Sequence, residues 1–252
     1  MINKLFIATA ATILFSTGAA YASDESKPQW GYTGTGGPEH WGSLSPEFAT
    51  CSTGKEQSPI DVPNAEGGAV KTNYNDTKVN VVNNGHTIQL NYSAGSSLQS
   101  EGAEYDLLQF HFHSPSEHTL NGKSFPLEVH FVHKAQDGTL AVVGVMFEEG
   151  TENAELAKIW QDMPAKADDV TTSDVTVNAA NLLPVDQTVI RYAGSLTTPP
   201  CSEGVKWHVM TSPIEASKEQ VEKFLSTLPA NNRPLQPLND RSFKKHEHKH
   251  SH

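Results

Sequence analysis

In the run LLQFHFHSPSEH (107–118), Leu108, Phe110 and Phe112 alternate with Gln109, His111 and His113. Side chains at i and i+2 of a strand share a face, so this is a strand with one apolar face and one face carrying a glutamine and two imidazoles. Imidazoles are costly to bury unless something pairs with them. The fold must therefore supply partners on the polar side. A second run repeats the pattern: Leu127, Val129 and Phe131 alternate with Glu128 and His130. If the two strands are neighbours in the right register, Gln109, His111, His113, Glu128 and His130 make one polar face. A slip of one residue would break it up.

Three imidazoles on a face suit a metal ion, zinc above all. A ligating histidine usually gives its other N–H to a carboxylate or amide, and Glu128 and Gln109 are the right types. Three protein ligands leave a fourth zinc position for water, which is the catalytic arrangement. His133 has the opposite strand parity from His130, and His118 falls in the following loop, so neither joins the set. Two other readings use the same letters. His111 and His113 could be satisfied surface histidines. HFHSPSE is also H-x-H-x3-E, the first half of a cupin metal motif with Glu117 as a ligand, but no Gly-rich second motif with a distant histidine follows.

Short β-like runs at 79–82, 86–92, 105–113, 125–133, 139–147, 188–193 and 205–212 are separated by turn residues, which points to an antiparallel-rich sheet. Helical spacing appears at 151–163 and 217–228, the latter with Ser217 as N-cap and Gln220 three residues on. Residues 30–48 (WGYTGTGGPEHWGSLSPEF) show neither period and read as an irregular arm pinned by aromatics. No repeat or linker divides 23–243, so one domain is expected, mainly β with short helices (α+β).

Residues 1–22 read as a secretory signal: Lys4, an apolar stretch from Leu5 to Ala20, then the small-x-small Ala20-Tyr21-Ala22. No later segment reaches the ~20 apolar residues of a membrane span. The compact signal fits export to a bacterial periplasm. With 29 acidic residues against 18 Lys and Arg and no basic cluster, the chain is a poor match for nucleic acid or anionic membranes. Two cysteines, Cys51 and Cys201, suggest a disulfide in an exported chain. Two free thiols or metal ligands are the alternatives, though no histidine or second cysteine lies at ligand spacing from either. The tail KKHEHKHSH (244–252) lacks apolar residues and cannot pack. It reads as disordered and solvated, with loose metal binding as the other reading.

The ordered set QFHFH (109–113), SEH (116–118), EVHFVH (128–133) and SLTTPP (195–200) resembles the α-class carbonic anhydrases. QSPID (57–61), NNGH (83–86), WGY (30–32), KW (206–207) and NDR (239–241) extend the likeness over nearly all of the chain after residue 30. The exported bacterial branch is the best match, since Cys51 and Cys201 fall where that branch carries its disulfide. The resemblance implies a single domain around a large, mostly antiparallel twisted central sheet. It implies one Zn2+ held by His111, His113 and His130, with Gln109 and Glu128 orienting them. It implies reversible hydration of CO2 to bicarbonate and a proton by attack of zinc-bound hydroxide, with esterase activity as a side reaction of the same site. Glu117 and Thr197 would form its proton-orienting pair, with Thr198 on the same wall. Ionised Glu117 only accepts, so Thr197 must donate to it. Val132, Val142, Leu196 and Trp207 would line the CO2 pocket. His86 would be the proton shuttle, while Tyr32, Asn84 and Gln89 would order cavity water. A homodimer is left open. The chain departs from many relatives in having Ser-Pro after HFH, where they have Trp-Gly.

Overall fold

The computed structural model describes residues 28–63 and 67–243; the signal-like segment 1–22 and the tail 244–252 lie outside them. Among the described residues the chain opens with short turns of helix, including α1 (Trp41–Leu44) and α2 (Thr50–Thr53). The irregular arm read at 30–48 is thus partly helical. Its turns are too short to leave a 3.6-residue stripe. Strands β1 (Asp61–Val62), β2 (Gly68–Ala69), β3 (Lys71–Asn73), β4 (Thr77–Asn83), β5 (Ile88–Asn91), β6 (Ser97–Ser100) and β7 (Ala103–His113) follow. Next come β8 (Thr119–Leu120), β9 (Leu127–Lys134), β10 (Leu140–Glu149) and α3 (Ala154–Gln161). Then β11 (Val170–Val177), β12 (Thr188–Ser195), β13 (Glu203–Met210), β14 (Ile214–Ala216) and α4 (Lys218–Thr227) complete the regular structure.

Twelve of the strands make one sheet, whose main path runs β11-β4-β5-β7-β9-β10-β13-β12-β2. Most pairs are antiparallel; β10 runs parallel to β13 and to β14. The sheet is therefore mixed but mostly antiparallel, with few and short helices, as the resemblance implied.

Both faces are covered. On one, Val81, Leu90, Phe110, Phe112, Val129, Phe131, Val143 and Val145 form a core sealed by Ile159 and Trp160 of α3 and Phe224 of α4. On the other, Ile60, Val142, Met146, Tyr192, Val205 and Trp207 form a second cluster. A third joins Trp41 and Phe48 to the disulfide-bonded Cys51 and Cys201.

The register that the histidine pattern leaves open is settled by the β7–β9 pairing. His111 lies opposite His130, and His113 opposite Glu128. Neighbouring strands extend these rows: Gln89, His111, His130 and Gly144 form one, and Gln109, Val132, Val142 and Trp207 another. One part of the apolar alternation differs from expectation. A register shift between Leu107 and Gln109 inserts an extra residue. Leu107 then takes the core face at 2% exposure, while Leu108 turns outward at 44%.

Candidate metal centre

His111, His113 and His130 each offer a ring nitrogen, and the three nitrogens lie within 4.8 Å of one another. The hydrogen bonds decide which nitrogen each ring presents. His111 Nδ1 lies 2.9 Å from Gln109 Oε1, an acceptor, so Nδ1 carries the proton and Nε2 the lone pair. His113 Nδ1 donates at 2.8 Å to the Asn231 carbonyl, again leaving Nε2. His130 reverses the choice: its Nε2 donates to Glu128 Oε1 at 2.7 Å, leaving Nδ1. His113 Nε2 is buried without a hydrogen-bond partner among the described residues. A buried, unpartnered imidazole nitrogen beside two other ring lone pairs is the donor set zinc prefers. The residues therefore fit that ion.

Electrostatics favour neutral rings. Burial, reinforced by the neighbouring His113 and His130, holds His111 well below the ordinary histidine pKa. Burial takes His113 down to about 4, against the Asn231 carbonyl, and lowers His130 despite Glu128. A second group within the same distance, His118, Glu128 and His130, is a hydrogen-bonded cluster. Glu128 accepts from His118 Nδ1, from His130 Nε2 and from the backbone N–H groups of Glu117 and His118, all at 2.7–2.9 Å. Burial pushes its pKa up, yet the two imidazoles hold the carboxyl well below the usual range. It is therefore an acceptor for two rings at once. Gly144 leaves room for it: a Cβ there would stand 3.0 Å from Glu128 Oε1.

Glu117 is 2% exposed and Thr197 5%. Glu117 Oε1 accepts from the Arg233 N–H at 2.8 Å, while Oε2 has no partner of ordinary geometry among the described residues. Burial raises the carboxyl to about 7, opposed by His130, by the Thr197 hydroxyl and by Arg233. Oε2 also comes within 3.9 Å of His130 Nδ1, so Glu117 borders the imidazole cluster. Thr198 gives its carbonyl to the Cys201 N–H. Trp207 and Val142 are buried in the second cluster, with Val132 and Leu196 packed against it.

At the other side of the cluster, Gln89 pairs with His111 across the strands and donates to Asn91. The buried Tyr32 hydroxyl lacks a hydrogen-bond partner among the described residues; burial and the nearby Glu117 hold its pKa well above the ordinary value. Asn84 turns its Oδ1 back to accept from the His86 and Thr87 N–H groups. The His86 ring is half-buried and stacks on Trp30, centroids 3.7 Å apart and planes 7° off parallel. Burial lowers its pKa, while Asp168 raises it.

Four contributors escape a reading by strand pattern. Asn231 and Arg233 lie in an irregular segment more than a hundred residues after His113 and Glu117, the residues they support. His118 is fully buried and bridges Glu128 and the Tyr192 hydroxyl, though its loop position hides it. Gly144 acts through an absent side chain. Only SEH, read as a motif, hints at His118.

Comparisons with known proteins point to one family. A family description, eukaryotic-type carbonic anhydrase, matches residues 36–247. The chain is 46% identical over 245 residues to a carbonic anhydrase of Pectobacterium carotovorum, covering 96% of this chain and 98% of that protein. The α-carbonic anhydrase of Thermovibrio ammonificans, solved with the inhibitor sulfanilamide, superposes with a TM-score of 0.84 at 46% identity, over 86% of this chain and 99% of that one. An α-carbonic anhydrase of Photobacterium profundum superposes with a TM-score of 0.81, also at 46% identity, over 85% and 99%.

Proposed function

Because the chain belongs to the eukaryotic-type, or α-class, carbonic anhydrase family, whose members hydrate CO2, we propose that His111, His113 and His130 hold one zinc ion. The observation that carries this is the convergence of three imidazole lone pairs, each set by an acceptor on the opposite ring nitrogen. Zinc, when bound, supplies a Lewis acid that makes water nucleophilic near neutral pH, a behaviour for which carbonic anhydrase is itself the usual illustration.

The chain's own residues do the rest. Gln109, Glu128 and the Asn231 carbonyl fix the tautomer and tilt of the rings, so the donor set is in place before anything binds. Thr197 donates its hydroxyl proton to Glu117. Its oxygen then accepts from the attacking water and orients that oxygen toward CO2. Thr198 closes the same wall. Val132, Val142, Leu196 and Trp207 offer an apolar surface to a small uncharged substrate and keep bulk water from it. His86 takes the released proton outward, with Tyr32, Asn84 and Gln89 ordering the water between. Residues 23–243 form the catalytic unit. The Cys51–Cys201 disulfide supports export, since such bonds persist in oxidising compartments.

Stopped-flow CO2 hydration with and without a zinc chelator tests the reading, alongside metal analysis. His113→Ala is expected to abolish stoichiometric zinc and lower turnover at least ~1000-fold. Turnover unaffected by either treatment would sink it.

A further inference from the structure

Asn231 is 2% exposed, and every polar group it has is engaged. Its backbone serves the ligand strand: the carbonyl accepts from His113 Nδ1 at 2.8 Å, and the N–H donates to the Ser114 carbonyl at 3.2 Å. Its side chain does something different. Oδ1 accepts from the Ser114 N–H at 2.8 Å, while Nδ2 donates at 2.9 Å both to the Phe112 carbonyl and to the carbonyl of His86. One primary amide thus spans the end of β7 and the turn on which His86 sits.

That turn is pinned at its base, where Asn83 exchanges backbone hydrogen bonds with Asp168 and Asp169 at 2.7 and 3.1 Å and donates its side-chain amide to the Pro164 carbonyl at 3.2 Å. Gly85 occupies the left-handed region at φ 79°, and Asn83 Oδ1 and Asn84 Oδ1 close the loop internally by accepting from the N–H groups of residues 85, 86 and 87. Thr87 Oγ1 ties the residue after His86 to the Phe112 backbone. The His86 carbonyl itself is held by Asn231. Among the described residues the ring stacks on Trp30 and feels the charge of Asp168.

We infer that the Asn231 side-chain amide is a positioning residue for proton transfer, fixing how far His86 stands from the strand that carries His111 and His113. This rests on His86 being the proton carrier. Transfer between groups linked by water is steep in distance, and a 1 Å misplacement can lower a rate ~100-fold. The backbone of Asn231 orients His113 and its side chain sets the carrier, so one residue joins the two ends of the proton path.

The test uses the zinc-loaded full chain and three variants: Asn231→Ala, Asn231→Asp and His86→Ala. Asn231→Ala removes the whole tether but also unpairs the Ser114 N–H. Asn231→Asp keeps an acceptor for Ser114 and removes the two donors. In low buffer, kcat of either Asn231 variant should fall by about tenfold or more, against less than about threefold for kcat/KM, and added imidazole should restore kcat. Amide hydrogen exchange over residues 83–87 should accelerate about fivefold or more in the Asn231 variants, with or without zinc, and not in His86→Ala. Combining Asn231→Ala with His86→Ala should give no further loss of low-buffer kcat. Equal falls in kcat and kcat/KM, a further loss in the double variant, or unchanged exchange would each overturn the inference. So would failure of both Asn231 variants to fold with metal, which would make the residue a stability element alone. If His86→Ala leaves low-buffer kcat intact, the carrier reading itself fails, and faster exchange in the Asn231 variants would still separate that failure from the absence of a tether.

Discussion

His133 and His130 are three residues apart and have opposite fates. His133 faces the core side of β9, where Nδ1 donates to the Ala141 carbonyl at 3.3 Å and Nε2 accepts from the Tyr74 hydroxyl at 2.8 Å. Burial takes its pKa from 6.5 to about 3. Between those values the unfolded chain holds a proton that the folded chain lacks, so folding stability from this group is full above pH 6.5 and declines as pH falls toward 3. His133→Gln does not titrate. Its stability relative to the parent is therefore expected to shift in its favour by about 1.4 kcal/mol per pH unit from 6.5 downward, read from urea melts at pH 7, 6 and 5. A constant difference across that range would contradict the assignment. Strand parity alone separates the two histidines, and it also finds Gln109 and Glu128, which share a face with the rings they serve. Parity is silent on Asn231 and Arg233, because their segment has no period and their partners are remote in sequence.

Helices α3 and α4 start on shared hydrogen bonds. Ser217 Oγ caps α4 by accepting from the Gln220 N–H, and Gln220 Oε1 accepts in return from the Ser217 N–H. The same Oε1 takes the N–H of Asn153, the N-cap of α3, and Gln220 Nε2 donates to the Asn153 carbonyl. Gln220→Ala should therefore cost about 2 kcal/mol, against about 1 for Ser217→Ala, in denaturant melts. Equal losses would mean that the two helix starts are independent. Both helices are legible from their periods, and α4 also from its cap, as are the central strands from their alternation. Strand β11 is not. Its sequence, VTTSDVTV, is largely polar because it is an edge strand, exposed at alternate positions and interrupted by a register shift near Ser173. Edge strands carry less apolar signal because they bury less. The inserted residue at Leu108 is equally invisible, since alternation looks intact through it.

Taken whole, the molecule closes on a covalent link 150 residues long, between α2 and the loop that follows Thr197. Gln57 donates to the Cys201 carbonyl, and Arg233 Nη2 to that of Cys51. The loop-closure model assigns roughly 5 kcal/mol to a loop of this length. The native protein should titrate no free thiol, gain two hydrogens in mass on reduction, and unfold at lower denaturant once reduced. Two thiols in the native state would refute the bond.

The irregular stretch after α4 has a consequence for how the protein is made. All three imidazoles leave the ribosome about a hundred residues before Asn231 and Arg233 do. A chain that stops at residue 228 owns its complete set of ring nitrogens, yet lacks the carbonyl that His113 Nδ1 donates to and the Arg233 N–H that Glu117 accepts. The segment that holds Asn231 and Arg233 must therefore be made and seated before His113 and Glu117 have these partners, so a truncation at 228 keeps the ligand residues and loses the groups that set them.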